Sequence, residues 1–201
     1  MSGRITDWPT YTERGLMVDV GRRHFTPGWL EGKIRELAWL KLNVLHLHLS
    51  DGLGFRIESA SHPEIVTRPA LTKDEVRHLV SVADRYHVTV VPEIDSPGHM
   101  EAVLRAHPEL QLIRVDGTRD PGKLDYSKPA ARRLMQDLIA EYADLSPARG
   151  STSVATSTSG TRGIRTSVSD RALSLRRPWW AAGGSPAAGL VRSRVGKDGC
   201  W

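Results

Sequence analysis

Short apolar, β-branched runs alternate with amphipathic segments over the first 149 residues, and this alternation constrains the fold more than any other feature. The apolar runs predict strands at residues 15–20, 43–49 and 87–94. Apolar residues at helical spacing predict helices at residues 27–41, 72–86 and 128–144. Strand followed by helix, repeated, is typical of βαβ units, so the predicted fold class is α/β with a parallel sheet buried on both faces.

The sequence changes character at residue 150. From there to the end it has no helical or strand periodicity, and it carries eight basic residues against two acids, whereas the preceding part has slightly more acids than bases. The net charge of +5 therefore belongs to the tail and does not indicate a nucleic-acid partner. We predict two regions: a folded part at residues 1–149 and a disordered, basic, low-complexity tail at residues 150–201.

Composition narrows the remaining classes of protein. The single cysteine, Cys200, excludes a disulfide framework. No apolar run is long enough to cross a bilayer, so we predict no membrane partner. The first residues lack the apolar stretch of a secretory signal; the chain as written is interpreted as cytoplasmic, and the location of a longer gene product is left open.

Charged and imidazole side chains flank all three predicted strands. They are Arg14, Asp19, Arg22 and His24 around the first strand, His46, His48 and Asp51 around the second, and Glu93, Asp95 and His99 around the third. Parallel α/β folds place their active sites at the carboxyl ends of strands, so these clusters predict a site at that edge.

Other interpretations of these clusters stay open at this point. An Arg and an Asp beside a buried strand can form a structural ion pair. The His46-x-His48 pair, with His99, can supply the ligands of a metal-dependent barrel hydrolase, which a measured zinc or manganese content would reveal.

Four segments together resemble glycoside hydrolase family 20, the β-N-acetylhexosaminidases. They read DWPTYTERGLMVDVGRRHF, KLNVLHLHLSDGLGFRIE, VVPEIDSPGHMEAVL and LSPAR, in the order of the family. The resemblance implies a (β/α)₈ TIM barrel of which this chain supplies the first three β/α units. It also implies retaining, substrate-assisted removal of terminal N-acetylhexosamine from an oligosaccharide or glycoconjugate, with no cofactor and no metal.

The same resemblance implies roles for individual residues. Arg14 would bind the hydroxyls of the terminal sugar, Asp51 and His99 would form a relay behind the catalytic acid, and Asp19, His48 and Asp95 would support them. Gly52, Leu53 and Phe55 depart from the family, which has a second acid, a glutamine and later a tryptophan in these places. A non-catalytic carbohydrate-binding module that retains Arg14 is a further alternative, identified by binding without turnover.

The family's catalytic Asp-Glu pair lies in a fourth-strand motif such as FHVGGDEYF, where this chain reads STSVATSTS. One permitted codon choice for residues 151–159 is TCC ACG TCG GTG GCG ACG AGT ACT TCG. Preceded by the final T of the Gly150 codon and regrouped, these nucleotides encode FHVGGDEYF. We therefore predict a frameshift near codon 150 and an inactive product that lacks the acid/base Glu and the acetamido-orienting Asp.

Overall fold

A computed structural model describes residues 3–145 and the strand segments 152–156 and 164–168. In chain order the elements are β1 (Gly15–Asp19), α1 (Pro27–Trp39), β2 (Val44–His48), β3 (Ser50–Asp51), β4 (Gly54–Phe55), α2 (Lys73–Arg85), β5 (Thr89–Glu93), α3 (Glu101–Ala106), β6 (Gln111–Ile113), β7 (Arg119–Leu124), α4 (Pro129–Tyr142), β8 (Thr152–Thr156) and β9 (Ile164–Val168). Short 3₁₀ turns occur at Pro63–Ile65, Pro108–Leu110 and Ala143–Leu145. The three strands and three helices predicted from the sequence are all present.

The main sheet contains five strands in the order β1, β2, β5, β8, β9. The strands β1, β2 and β5 are parallel, as the βαβ pattern predicts, and β8 continues this direction beside β5. The last strand, β9, is antiparallel to β8. Two small hairpins, β3 with β4 and β6 with β7, stand apart from this sheet.

Helices α1 and α2 begin at the threonines that cap them. The Thr26 hydroxyl accepts a hydrogen bond from the Trp29 N–H, and Thr72 forms a reciprocal capping box with Glu75. The helices bury one apolar stripe each, represented by Leu30 on α1, Leu79 on α2 and Leu138 on α4.

One face of the parallel sheet is well covered, and the other is not. Leu45, Leu47 and Val90 are buried on the first face, where α1 and α2 contact the sheet. On the opposite face Met17, paired in register with His46, is 54% exposed. The prediction of a sheet buried on both faces is therefore wrong: this sheet is not closed into a barrel, and among the described residues the second face is well covered only at its carboxyl end, where His48 and Glu93 are buried.

The expectation of irregular structure throughout the tail is wrong for ten residues. The backbone at Thr152–Thr156 and Ile164–Val168 forms β8 and β9, and Ser153 pairs in parallel with Glu93. The rest of the predicted tail lies outside the described residues. Among the helices that are described, none combines the length and apolar character needed to span a membrane.

Candidate active site

The register of the parallel strands brings three ionisable side chains to one level. Asp19 at the end of β1 pairs with His48 at the end of β2, and His48 pairs with Glu93 at the end of β5. All three lie on the face that also carries Met17 and His46, because side chains two residues apart along a strand share a face. The structure therefore brings Asp19, His48 and Glu93 together at the carboxyl edge of the sheet.

Asp51 is the centre of this cluster. It lies in the short strand β3 directly after β2, and it is buried. Its Oδ2 atom is 3.0 Å from His48 Nε2, 2.7 Å from His99 Nδ1 and 3.0 Å from an Arg22 guanidinium nitrogen. Its other oxygen accepts a hydrogen bond from the Gly52 N–H. Burial raises the pKa of Asp51, but the bonds from the two imidazoles outweigh this and hold it below its ordinary value.

A close approach of the backbone positions Asp51. The N–H groups of Val20 and Gly21 both donate to the His48 carbonyl, which draws the segment after β1 across the end of β2. A Cβ atom on Gly21 would lie 2.8 Å from the Asp51 nitrogen, so this approach requires glycine.

His48 is a buried imidazole held between two carboxylates. Its Nδ1 is 3.0 Å from Glu93 Oε2, and its Nε2 faces Asp51. Burial lowers the pKa of His48, but the bonds to Glu93 and Asp51 outweigh it and raise the pKa to about 9. Burial likewise raises the pKa of Glu93, but the contacts with His46 and His48 lower it to about 2. His48 is thus an imidazolium at neutral pH and neutralises part of the acidic charge beside it.

His99 is the exposed end of the cluster. Its backbone φ of 56° lies in the left-handed region, which costs a non-glycine residue about 1–2 kcal/mol. The side chain is 41% exposed, and with Gly98 and Glu101 it lines a cavity of about 210 Å³. A strained residue whose imidazole is oriented by a buried carboxylate and borders a cavity is typical of a functional site.

The structure does not bring Arg14 to this edge. Arg14 precedes β1, five residues or roughly 16 Å along the strand from Asp19. Its guanidinium donates to the backbone carbonyls of Lys41, Tyr11 and Thr12. The guanidinium at the carboxyl edge belongs to Arg22, which bonds Asp19 at 2.6 Å.

The set of ligands for the alternative metal site is not assembled. Ligand atoms of His48, Asp95 and His99 lie within 4.8 Å of one another, but His46 joins no such group among the described residues. His46 Nε2 lies 2.7 Å from Glu93 Oε2 without hydrogen-bond alignment. Of the three predicted ligands, the structure thus brings together His48 and His99 but not His46.

Glu101 is a residue of this region that the sequence did not single out. It opens the short helix α3, and its Oε2 atom is buried with no hydrogen-bond partner among the described residues. A Cβ atom at Gly52 would lie 2.8 Å from that oxygen, so the carboxylate occupies space that a side chain at residue 52 would need. The glycine at residue 52, where the family has an acid, is the sequence feature that could have indicated this arrangement. The sequence alone does not show which residue fills the space beside it.

Known proteins resemble this chain over the same region. The family model of the glycosyl hydrolase family 20 catalytic domain matches residues 11–156. A lacto-N-biosidase from Bifidobacterium bifidum is 33% identical over 141 residues, covering 70% of this chain and 12% of the relative. A β-hexosaminidase from Akkermansia muciniphila is 37% identical over 168 residues, covering 72% of this chain and 34% of the relative.

Solved structures agree with these matches. The chitobiase of Flavobacterium johnsoniae superposes with a TM-score of 0.64 at 33% identity, covering 72% of this chain and 23% of that enzyme. This chain thus spans about a third or less of the length of these relatives. Because the family model covers well over half of the chain, the chain belongs to glycosyl hydrolase family 20.

Proposed function

We propose that residues 1–149 are the first three β/α units of a retaining β-N-acetylhexosaminidase barrel. The complete enzyme would remove terminal N-acetylhexosamine from oligosaccharides or glycoconjugates by a substrate-assisted route, in which the acetamido oxygen of the sugar attacks its own anomeric carbon. The observation that carries this proposal is the 2.7 Å contact between Asp51 and His99 at the carboxyl edge of the sheet. Family membership supports the class of reaction.

In this proposal Asp51 and His99 are positioning residues. The Asp51 carboxylate accepts a hydrogen bond from the protonated Nδ1 of His99, which leaves the lone pair of the ring on Nε2. An imidazole held in that tautomer can accept a hydrogen bond from a carboxylic acid and so hold the acid in its protonated, donating orientation. Arg22 and His48 keep Asp51 ionised, because both place positive charge within 3.0 Å of Oδ2.

We further propose that the chain as written cannot hydrolyse this substrate. Strand β8 reads TSVAT and contains no carboxylate, although it occupies the place beside β5 where a fourth barrel strand would lie. In the regrouped reading frame the Asp spans codons 155 and 156 and the Glu spans codons 156 and 157. The pair would therefore follow β8 at its carboxyl end, on the edge of the sheet that holds Asp51 and His99.

The substrate-binding role of Arg14 remains a prediction. Its contacts with three backbone carbonyls describe a residue that ties the segment before β1 to the end of α1. In a repaired enzyme, Arg14→Ala separates the two roles. A substrate-binding role raises KM, whereas a purely structural role lowers stability and leaves KM unchanged.

The test is hydrolysis of an aryl N-acetyl-β-glucosaminide. The 201-residue chain should release no aryl alcohol above background, because a missing general acid alone costs about 10² to 10⁴ in rate. A gene with the frame restored at codon 150 and its downstream sequence should encode the Asp-Glu pair and show turnover. Robust turnover by the unrepaired chain, or a restored frame without that pair, contradicts the proposal.

A second measurement examines the relay. In the repaired enzyme, Asp51→Asn should lower kcat with little change in KM and displace the alkaline limb of the pH profile, which reports ionisation of the catalytic acid, because His99 loses its orienting carboxylate. Glu36→Gln on the exposed face of α1 is the matched carboxylate-to-amide control. Equal kinetics in Asp51→Asn and the control would remove Asp51 from the mechanism.

A further inference from the structure

A second cluster of imidazoles and carboxylates lies outside the carboxyl-edge site. His62 and Glu64 lie at the 3₁₀ turn Pro63–Ile65 between β4 and α2, and His107 follows the end of α3. The two histidines are largely buried, with side chains 18% and 24% exposed. No step of the proposed reaction uses these residues.

One carboxylate oxygen joins the two imidazoles. Glu64 Oε1 is 3.1 Å from His62 Nδ1 and 2.8 Å from His107 Nε2. One ligand atom from each of the three residues lies within 4.8 Å of the others. The rings meet edge to face, with centroids 6.2 Å apart. Two imidazole nitrogens and one carboxylate oxygen are a common set of zinc ligands, and about 3.3 Å between neighbouring ligand atoms follows from tetrahedral zinc bond lengths of about 2.0–2.1 Å.

The far nitrogen of each imidazole faces another carboxylate. His62 Nε2 is 3.4 Å from Asp137 on α4, and His107 Nδ1 is 3.3 Å from Glu109. A histidine that binds a metal through one nitrogen usually donates the other N–H to a carboxylate, which fixes the tautomer. His107 Nδ1 makes such a hydrogen bond to Glu109, whereas His62 Nε2 faces Asp137 without one. A metal ion would replace the two hydrogen bonds to Glu64, and each imidazole would then carry its proton on the far nitrogen, toward Glu109 or Asp137.

The charge of the cluster also favours a cation. The ion pairs described for Glu64, Glu109 and Asp137 involve only the two histidines, with no lysine or arginine. His62 Nε2 is buried and makes no hydrogen bond to a described residue. With neutral imidazoles the cluster carries three negative charges, so a divalent ion would neutralise most of them.

We propose that His62, Glu64 and His107 form a binding site for a divalent transition-metal ion of the zinc type. Asp137 and Glu109 are its outer partners, and water would complete the coordination. The ion would connect the segment after β4, the end of α3 and helix α4. This is a structural clamp that is separate from the carboxyl-edge site.

Equilibrium dialysis against Zn²⁺ followed by metal analysis tests the proposal on the 201-residue chain, with Cys200→Ser in every variant to remove the thiol. The parent should bind one Zn²⁺ at this site. Loss of a ligand in His62→Asn should cost more than the roughly 10- to 100-fold loss of affinity expected for the outer-partner variant Glu109→Gln. Glu109 is 64% exposed, so this second variant is informative even if His62→Asn does not fold.

Two matched variants exclude binding elsewhere. His78→Asn removes an exposed imidazole on α2, and His99→Asn removes the exposed histidine of the carboxyl-edge cluster. Both should keep the affinity of the parent. The proposal is overturned if the parent takes up no stoichiometric Zn²⁺, if Glu109→Gln binds as tightly as the parent, or if His99→Asn abolishes the uptake.

Discussion

Raising the pH should discharge the buried imidazolium of His48 and weaken the folded state. His48 is 7% exposed and lies between Glu93 and Asp51, which raise its pKa from the ordinary 6.5 to about 9 after burial has opposed them. A group with a raised pKa in the folded protein contributes its full stability below its unfolded pKa. That contribution declines above pH 6.5 and is lost as the pH rises through about 9.

The size of this effect follows from the two pKa values. Each pH unit between the unfolded and folded pKa is worth about 1.4 kcal/mol, so the interval from 6.5 to about 9 corresponds to roughly 3 kcal/mol. The same ion pairs lower the pKa of Glu93 to about 2, so the contribution of Glu93 to stability changes at acidic pH. It is present above pH 4.5 and is lost as the pH falls through about 2.

Proton NMR of the imidazole C2 resonances measures the effect directly. The His48 resonance in the 201-residue chain should titrate with a midpoint near 9, and urea midpoints should fall between pH 6.5 and 9.5. Glu93→Gln removes one of the two partners and should move the His48 midpoint toward 6.5. Glu36→Gln, on the exposed face of α1, should leave it unchanged. A His48 midpoint near 6.5 in the parent chain would refute the reasoning.

Three further substitutions should lower the free energy of unfolding, measured by urea denaturation. Glu141→Gln should cost about 3 kcal/mol, because this carboxylate is 9% exposed, accepts hydrogen bonds from the segment at residues 59–61 and pairs with Lys73 at 2.8 Å. Gly21→Ala should cost about 1–3 kcal/mol, because the added Cβ would lie 2.8 Å from the Asp51 nitrogen. Thr72→Ala should cost about 1 kcal/mol through loss of the α2 capping box.

Each of these substitutions has a matched control. Glu36→Gln removes a carboxylate that is 54% exposed and should change stability by less than about 0.5 kcal/mol. Gly28→Ala adds a Cβ with no atom within 4 Å and should not destabilise the chain. Thr72→Ser keeps the capping oxygen and should retain most of the stability. If a variant and its control change the free energy of unfolding equally, the corresponding contact does not stabilise the fold.

The periodicity of the sequence predicted the strands β1, β2 and β5 and the helices α1, α2 and α4. Local signals were sufficient here: apolar spacing defined α1, α2 and α4, and Thr26 and Thr72 marked the starts of two helices. The edge of the sheet that holds the site was also predictable, because parallel strands bring their carboxyl ends together. The family resemblance predicted a relay of Asp51 and His99; the structure places the two side chains in contact, and their role as a relay stays a prediction.

The hairpins and the outer strands were not predictable from these signals. Strand β7 contains Pro121 and Gly122, residues that argue against a strand, and it forms because it pairs with β6 at the edge of a small hairpin. Strand β8 lies in a segment without periodicity, and its pairing with β5 decides its conformation. The prediction of an irregular tail failed there for that reason.

Tertiary structure alone decided which charges meet. Arg14 and Arg22 lie close in sequence on either side of β1, but one strand length separates them, so Arg22 reaches Asp51 and Arg14 does not. Glu101 occupies the space beside Gly52 because α3 packs against the β3–β4 hairpin. The spacing of residues along the chain determines at which end of a strand, and on which of its faces, a side chain lies. Its partner depends on strand register and on backbone approach between segments that are distant in sequence.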